Sequence, residues 1–531
     1  MDSSLQIFVL LLAVVVAVAV LALRLKIPSA ILLVLTGVIL AFVPNLPTVE
    51  LAPEFVLLLV LPPVIYSSAV AMSWREFKYN LRPISLLAVG CVGFTTLAVA
   101  AATHWLLHLP WPVGFIIGAI VSPPDAMAPL SIARRMQLPK RLVIILEGEG
   151  LANDATALIL YRFAVAAVSV GVFSFGQALG TFAAIVVGEI IWGIGVGWLI
   201  LRLRRWVADP RIEITLSILT PFLAYWPPQQ LGGSGVLATV TAGLYMSWNG
   251  LRLISAATRL QGIFFWDFLI YLIEGMVFLI TGLQARTLVT HMSHYPISEL
   301  AISAGVVSAV VIVARFVWMY PATYIPRWLF ASILRADPYP PWQFPFALAF
   351  TGIRGIVSLA AALAIPLTIE NGHPFPNRDM ILFLTFSVIL VTLVGQGLML
   401  PAVIRALGIA HIGRRERHAD RAEEYQARRE AIAVAAERLK ELKVERHLPQ
   451  EIVDDHLAIQ RDQIKQFELI SAGHRRLPKL HDEVELLLID AERQHINDLF
   501  RGGKLNDEAR RRIERELDLR EAQLANQRAE E

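Results

Sequence analysis

The sequence predicts an all-α polytopic membrane protein followed by a helical cytoplasmic tail. Three observations carry that reading. Of 531 residues, 56% are hydrophobic and 17% charged, a balance more apolar than soluble chains of this length show. Apolar runs long enough to cross a bilayer recur through residues 1–410. The remaining residues, 411–531, hold more than half of all Asp, Glu, Lys and Arg. The net charge of +3 mostly reflects basic loops and does not argue for nucleic acid.

In order, the apolar runs lie near 5–23, 28–43, 54–72, 82–106, 111–134, 141–168, 176–203, 212–228, 235–248, 262–285, 297–320, 342–367 and 379–407. That makes about thirteen spans at the usual length of roughly 17–25 residues. The first run has an apolar core too long for a signal peptide and no basic segment before it, so it reads as a span. Cys91, the lone cysteine, lies inside a run and builds neither a disulfide framework nor a thiolate metal site.

Loop charge sets the orientation. RLK (24–26), WREFKYNLR (74–82), RRMQLPKR (134–141), RLRRWVADPR (202–211), LRLISAATR (251–259) and the segment with Arg327 and Arg335 are basic. The alternate connections, among them NLPTVELAPE, SVGVFSFG and NGHPFPNRD, carry few Lys or Arg. The positive-inside rule then puts the N-terminus outside and the C-terminus in the cytoplasm. Trp105, Trp111, Trp226 and Trp342 fall near run ends, where aromatic side chains anchor at the interface.

Four ionisable residues fall near the middle of their runs: Asp125, Asp154, Glu274 and Arg354. Each such charge costs about 2.5–3.5 kcal/mol even on the lenient insertion scale, so pairing or a water-filled cavity is expected. Pro123 and Pro124 remove two backbone donors just before Asp125, and Gly352 and Gly355 flank Arg354. Interrupted runs at corresponding places in two halves point to an inverted-repeat transporter with two broken, crossing helices at a midplane ion site. Arg354 is placed to balance the negative end of a half-helix. Glu149 and Asn153 share one helical face, whereas Asp154 is turned from them by about 100°. Arg162, two turns beyond Asp154, is a candidate partner for it, and Glu147 and Glu189 read as cavity or interface acids.

A carboxylate in such a place neutralises its charge by binding either a proton or a hard cation. Oxygen atoms of Asp154, of Ser122 and of carbonyls freed at Pro123 and Pro124 suit Na⁺. If only the neutralised site crosses between inward-open and outward-open states, coupled cation:proton exchange follows, with no nucleotide motif required. Two rivals differ in class. An intramembrane aspartyl protease would pair Asp125 with Asp154, yet ANDA is not a GxGD pattern and Arg354 would be superfluous. A passive channel has less use for a titratable midplane acid.

SPPDA (122–126), GEGLAND (148–154) and GIRG (352–355), in that order, resemble the cation:proton antiporter-1 family, the NhaP/NHE-type sodium/proton exchangers, over about residues 1–410. The resemblance implies a thirteen-span antiporter, usually a homodimer in membrane lipid, with core and dimerisation bundles. It implies no cofactor beyond the transported Na⁺ (or K⁺ or Li⁺) and H⁺, and a role in intracellular pH and sodium homeostasis at the cell membrane. By motif, Asp154 is the ion- and proton-binding carboxylate and the ligand of transported Na⁺, with Asn153 beside it. Asp125 and Ser122 sit at the crossover, Arg354 balances charge there, and Glu149 belongs to the surrounding network. Glu274 lies outside these motifs and reads from its own run, LIEGMVFLITG, as a network or regulatory acid or a direct ligand of the ion. The Asn-Asp pair is associated with electroneutral exchange. Gly150 stands where the family often has Ser, and SPPDA departs from the family's TDP form.

From His411 onward, mixed-charge runs such as ERLKELKVERHL have apolar residues at helical spacing. They predict short amphipathic helices that pack on themselves or on a second copy. A pH-sensing module using His418, His447, His456 and His474 is the sharper alternative.

Overall fold

A computed structural model describes residues 2–44, 52–170, 175–207, 209–250, 254, 256–292, 294–369, 373–447, 449–471, 476–502 and 504–530. Parts of the expected loops at 45–54, 169–176, 202–211, 251–259 and 371–379, together with His474, lie outside these residues, as does the side chain of His418. Among the described residues the regular structure is helical, apart from one isolated bridge between Thr368 and Pro374. The chain divides into two compact units, Met1–Arg414 and Arg415–Glu531.

In the first unit α1 (Asp2–Leu25), α2 (Ser29–Ala41), α3 (Phe55–Ala71) and α4 (Leu81–Leu107) follow the first four apolar runs. The fifth run is split into α5 (Trp111–Val121) and α6 (Met127–Arg135), because two consecutive prolines end the hydrogen-bond ladder. Next come α7 (Lys140–Val170), α8 (Phe175–Arg204), α9 (Pro210–Gln230), α10 (Val236–Asn249), α11 (Ala256–Leu283) and α12 (Ile297–Leu329). The twelfth run is split as well, into α13 (Gln343–Phe350) and α14 (Ile356–Leu363), with TGIRG between them. The last run forms α15 (Arg378–Leu407).

Seven helices among the described residues are individually long and apolar enough to cross a membrane. Sequence reading expected thirteen spans, and the difference has a physical source. The four half-helices are each too short to cross alone, α2, α3 and α10 are short, and α9 carries three interior prolines. Helices α2 and α11 meet backbone to backbone. A β-carbon at Gly37 would strike Leu279 and Gly282, and one at Gly282 would strike Val34 and Gly37. Small residues of this kind let apolar helices gain dispersion energy without a hydrophobic driving force.

Two expectations are corrected here. Arg327, expected in a connection, lies in the last turn of α12 and is only 5% exposed. Glu189, expected as a cavity or interface acid, is buried on α8. Its carboxylate accepts from the backbone N–H of Gly235 and Leu237 at 3.0 Å each and from the Ser234 hydroxyl at 3.1 Å. It satisfies the orphan donors at the start of α10. Trp105, Trp111, Trp226 and Trp342 are exposed on the bundle surface.

The second unit consists of most of α16 (Ala410–Arg446), then α17 (Gln450–Ser471), α18 (Arg476–Arg501) and α19 (Asp507–Glu530). Helices α18 and α19 bury Ile489 and Leu517 and are laced by Arg493–Asp518, Arg493–Glu521 and Arg520–Glu485 ion pairs at 2.6–2.8 Å. His447 and His456 are exposed.

Candidate functional site

The two helix breaks meet. The Asp125 N–H donates to the Ile353 carbonyl at 2.7 Å, joining the extended link of α5–α6 to that of α13–α14. One carboxylate oxygen of Asp125 accepts from the Met127 N–H at 2.9 Å, close to the start of α6. The other lies against Gly355, where a β-carbon would collide with it. The glycine is what admits this carboxylate to the crossing.

Arg354 is 1% exposed and points into the carbonyl ends of the half-helices. Its Nε donates to Val121 O at 2.8 Å, Nη2 to Ser122 O at 3.3 Å, and Nη1 to Gly352 O. Its own N–H donates to the Thr392 hydroxyl of α15 at 3.0 Å. A buried cation here offsets the partial negative charge of two interrupted helices.

Helix α7 presents its polar residues on separate faces. Glu149 is buried and pairs with Arg315 of α12, whose Nη2 lies 2.8 Å from Oε2 while Nη1 engages Oε1. Arg315 also donates to the Leu348 carbonyl of α13 through Nε at 3.1 Å and Nη2 at 3.0 Å. Asn153 is fully buried, and its Nδ2 donates to Pro124 O at 2.7 Å, pinning α7 to the first break.

Asp154 turns away from both, into a cavity of about 260 Å³. Asp125, Glu274, Pro123, Pro124, Gly150 and Ser358 share that cavity with it, and α3 closes another wall. Towards one end, Arg134 and Glu147 line the same space and form an ion pair at 2.7 Å. Four acids and one arginine line this cavity. Among the described residues no three His, Cys, Asp or Glu converge tightly enough to hold a metal ion. In this conformation the carboxylates share a cavity rather than a coordination sphere.

Sequence reasoning brought Asp154, Asp125, Glu274, Asn153, Glu149 and Arg354 to one neighbourhood, but only the first three line the cavity. Ser122, expected as a ligand, does not line it. Its hydroxyl is 2% exposed, lies 3.2 Å from the Thr96 hydroxyl and donates to Ala119 O at 3.3 Å. Asn153 likewise holds the break instead of facing the cavity. Among the described residues no ion pair joins Arg162 to Asp154. Two residues were missed. Arg315 sits alone in an apolar run, SAVVIVARFVWMY, and the depth argument used for Arg354 applies equally to it. Ser358 lies four residues after Arg354, in the first turn of α14, and had no distinguishing signal.

A family model described as sodium/hydrogen exchanger, transmembrane, matches residues 9–406. An uncharacterised Na(+)/H(+) exchanger of Mycobacterium tuberculosis is 33% identical over 533 aligned residues, covering 98% of this chain and 96% of that protein. The sodium, potassium, lithium and rubidium/H(+) antiporter of Bacillus subtilis is 32% identical over 414 residues, 76% of this chain and 61% of its own length. Among solved structures, the sodium proton antiporter MjNhaP1 from Methanocaldococcus jannaschii, determined at pH 8, superposes with a TM-score of 0.62 at 20% identity. That alignment covers 77% of this chain and 99% of the other, a likeness of fold.

Proposed function

The chain belongs to the sodium/hydrogen exchanger family, and from that premise we propose that it exchanges Na⁺ for H⁺ one for one across the cell membrane, with Asp154 as the shared binding group. It is an integral membrane transporter, a secondary cation/proton antiporter rather than an enzyme. The aspartyl-protease alternative falls with that membership.

The observation that carries the proposal is the position of Asp154. Its carboxylate opens into an acid-lined cavity beside the crossing of two broken helices. Among the described residues no arginine forms an ion pair with it: Arg134 is paired with Glu147, Arg315 with Glu149, and Arg354 is committed to backbone carbonyls. A carboxylate left in that condition has two ways to lose its charge, a proton or a cation, and the two exclude each other. Asp125 and Ser358 bring further oxygen atoms to the same cavity for a hard monovalent ion. Glu274 reaches the same cavity from α11, which also packs on α2, so it belongs to a different wall from Asp154.

Around that site we place thirteen spans, with the N-terminus outside and residues 411–531 in the cytoplasm as a helical tail. A homodimer and a role in intracellular pH and sodium homeostasis complete the reading. Potassium is the second cation to weigh, because the Bacillus subtilis relative is named for sodium, potassium, lithium and rubidium. The test is purified full-length protein in proteoliposomes carrying a fluorescent pH reporter. Addition of Na⁺, K⁺ or Li⁺ should dissipate an imposed pH gradient saturably, with Na⁺ effective at the lowest concentration. A K⁺ response at lower concentration than Na⁺ would reassign the cargo, and no cation response would end the proposal.

A further inference from the structure

A second charged cluster shares no residue with the lining of the ion cavity. It is built where α4 and α7 begin and α12 ends. Asp337, in the link between α12 and α13, accepts from three arginines. Arg141 grips it with both Nη atoms at 2.7 Å each, Arg327 reaches it through Nη2 at 2.6 Å, and Arg82 donates as well. Asn80 Oδ1 takes the Nε of Arg141 at 3.3 Å, while the carbonyls of Thr323 and Asp337 take two donors of Arg327.

These acceptors use fewer than half of the N–H groups on three guanidiniums, and one carboxylate stands against three cations. The neighbouring acid Glu76 is paired with Lys140 at 2.5 Å. Arg82 and Arg141 keep 28% and 32% of their side chains exposed, whereas Arg327 is held at 5%. The three arginines edge a cleft of about 50 Å³. Apolar walls are contributed by Leu86, Leu142, Ile145 and Met319.

We propose that this cleft binds an anionic phospholipid, with Arg82 and Arg141 holding the headgroup phosphate and the apolar walls receiving the first carbons of an acyl chain. Guanidinium forks match phosphate oxygens bidentately. Basic pockets between membrane helices on the cytoplasmic side suit such headgroups. A structural clasp for Asp337 needs only enough positive charge to balance it, and this cluster carries an excess of two. The apolar walls favour a lipid over free phosphate, which would gain nothing from Leu142 or Met319. A bound lipid would tie the starts of α4 and α7 to the end of α12, the elements that also carry Asp154 and Arg315.

The test is native mass spectrometry of the full-length protein with added phosphatidylglycerol, phosphatidylcholine or inorganic phosphate. Phosphatidylglycerol should be retained one to one in preference to phosphatidylcholine. Arg82→Gln should weaken its apparent Kd about fivefold, the effect of one surface charge on an anionic headgroup. Leu86→Trp keeps all three arginines and fills the cleft, so it should weaken the lipid as well, and it covers the case in which Arg82→Gln fails to fold. Equal retention of the two lipids, or unchanged affinity in both variants, overturns the site. Displacement of phosphatidylglycerol by millimolar phosphate overturns the lipid assignment in favour of a free phosphate anion.

Discussion

At the scale of single residues, the core of this protein depends on which charges are paired and which open into the cavity. Asp154 is among the open ones, so Asp154→Asn should insert and fold normally yet show no cation-dependent pH dissipation in proteoliposomes. Exchange at the wild-type rate in that variant would remove Asp154 from the mechanism. Glu149 and Arg315 are the closed pair, at 2% and 1% side-chain exposure. Removing one partner leaves a buried unpaired charge, which costs about 3–5 kcal/mol. Arg315→Leu should therefore lower the thermal midpoint strongly, while Glu149→Leu combined with Arg315→Leu recovers much of the loss. Additive losses in the double variant would contradict the pairing. Glu149 was legible from its motif, but its partner lies 166 residues away, a separation that no local pattern encodes.

At the scale of elements, the two interrupted helices and the link before α13 set the geometry. Gly355 has no room for a β-carbon beside the Asp125 carboxylate. Gly355→Ala is expected to displace that carboxylate and depress exchange with helical content intact, read by circular dichroism beside the transport assay. Full activity would mean the crossing tolerates the shift. Asp337 fastens the link. Burial pushes its carboxyl up, but Arg141, Arg327 and Arg82 outweigh that and hold it below the usual carboxylate range. A depressed folded value means that its stabilisation is complete above the unfolded carboxylate value of about 3.9 and disappears as pH falls through the folded value. Asp337→Asn should thus cost about 2–3 kcal/mol at neutral pH, with a constant gap in thermal midpoint from pH 5 to 8 that closes only in stronger acid. A gap that opened or closed near neutrality would contradict the pairing. Both breaks were readable in the sequence because proline and glycine act on their own backbone. Arg327 was misplaced because a basic residue at a helix end resembles one in a loop.

At the scale of the whole molecule, one-for-one exchange moves no net charge. The rate should then be unchanged when an ionophore clamps the membrane potential at different values, and a voltage-dependent rate would exclude that stoichiometry. Orientation has its own test: in a Cys91→Ser background, Ser3→Cys should be labelled from outside intact cells by an impermeant reagent, and Arg417→Cys should not. What the sequence by itself determined is the apolar runs, the two breaks, the acids in the middle of their runs and the membrane character of the chain. Each follows from local hydropathy and local backbone chemistry. Only the tertiary structure decided that Arg315 neutralises Glu149, that Ser122 faces Thr96, that Glu189 caps a helix, and that Asp125, Asp154 and Glu274 open into one cavity. Those outcomes depend on which helix faces meet across long stretches of chain, and packing, not periodicity, selects them.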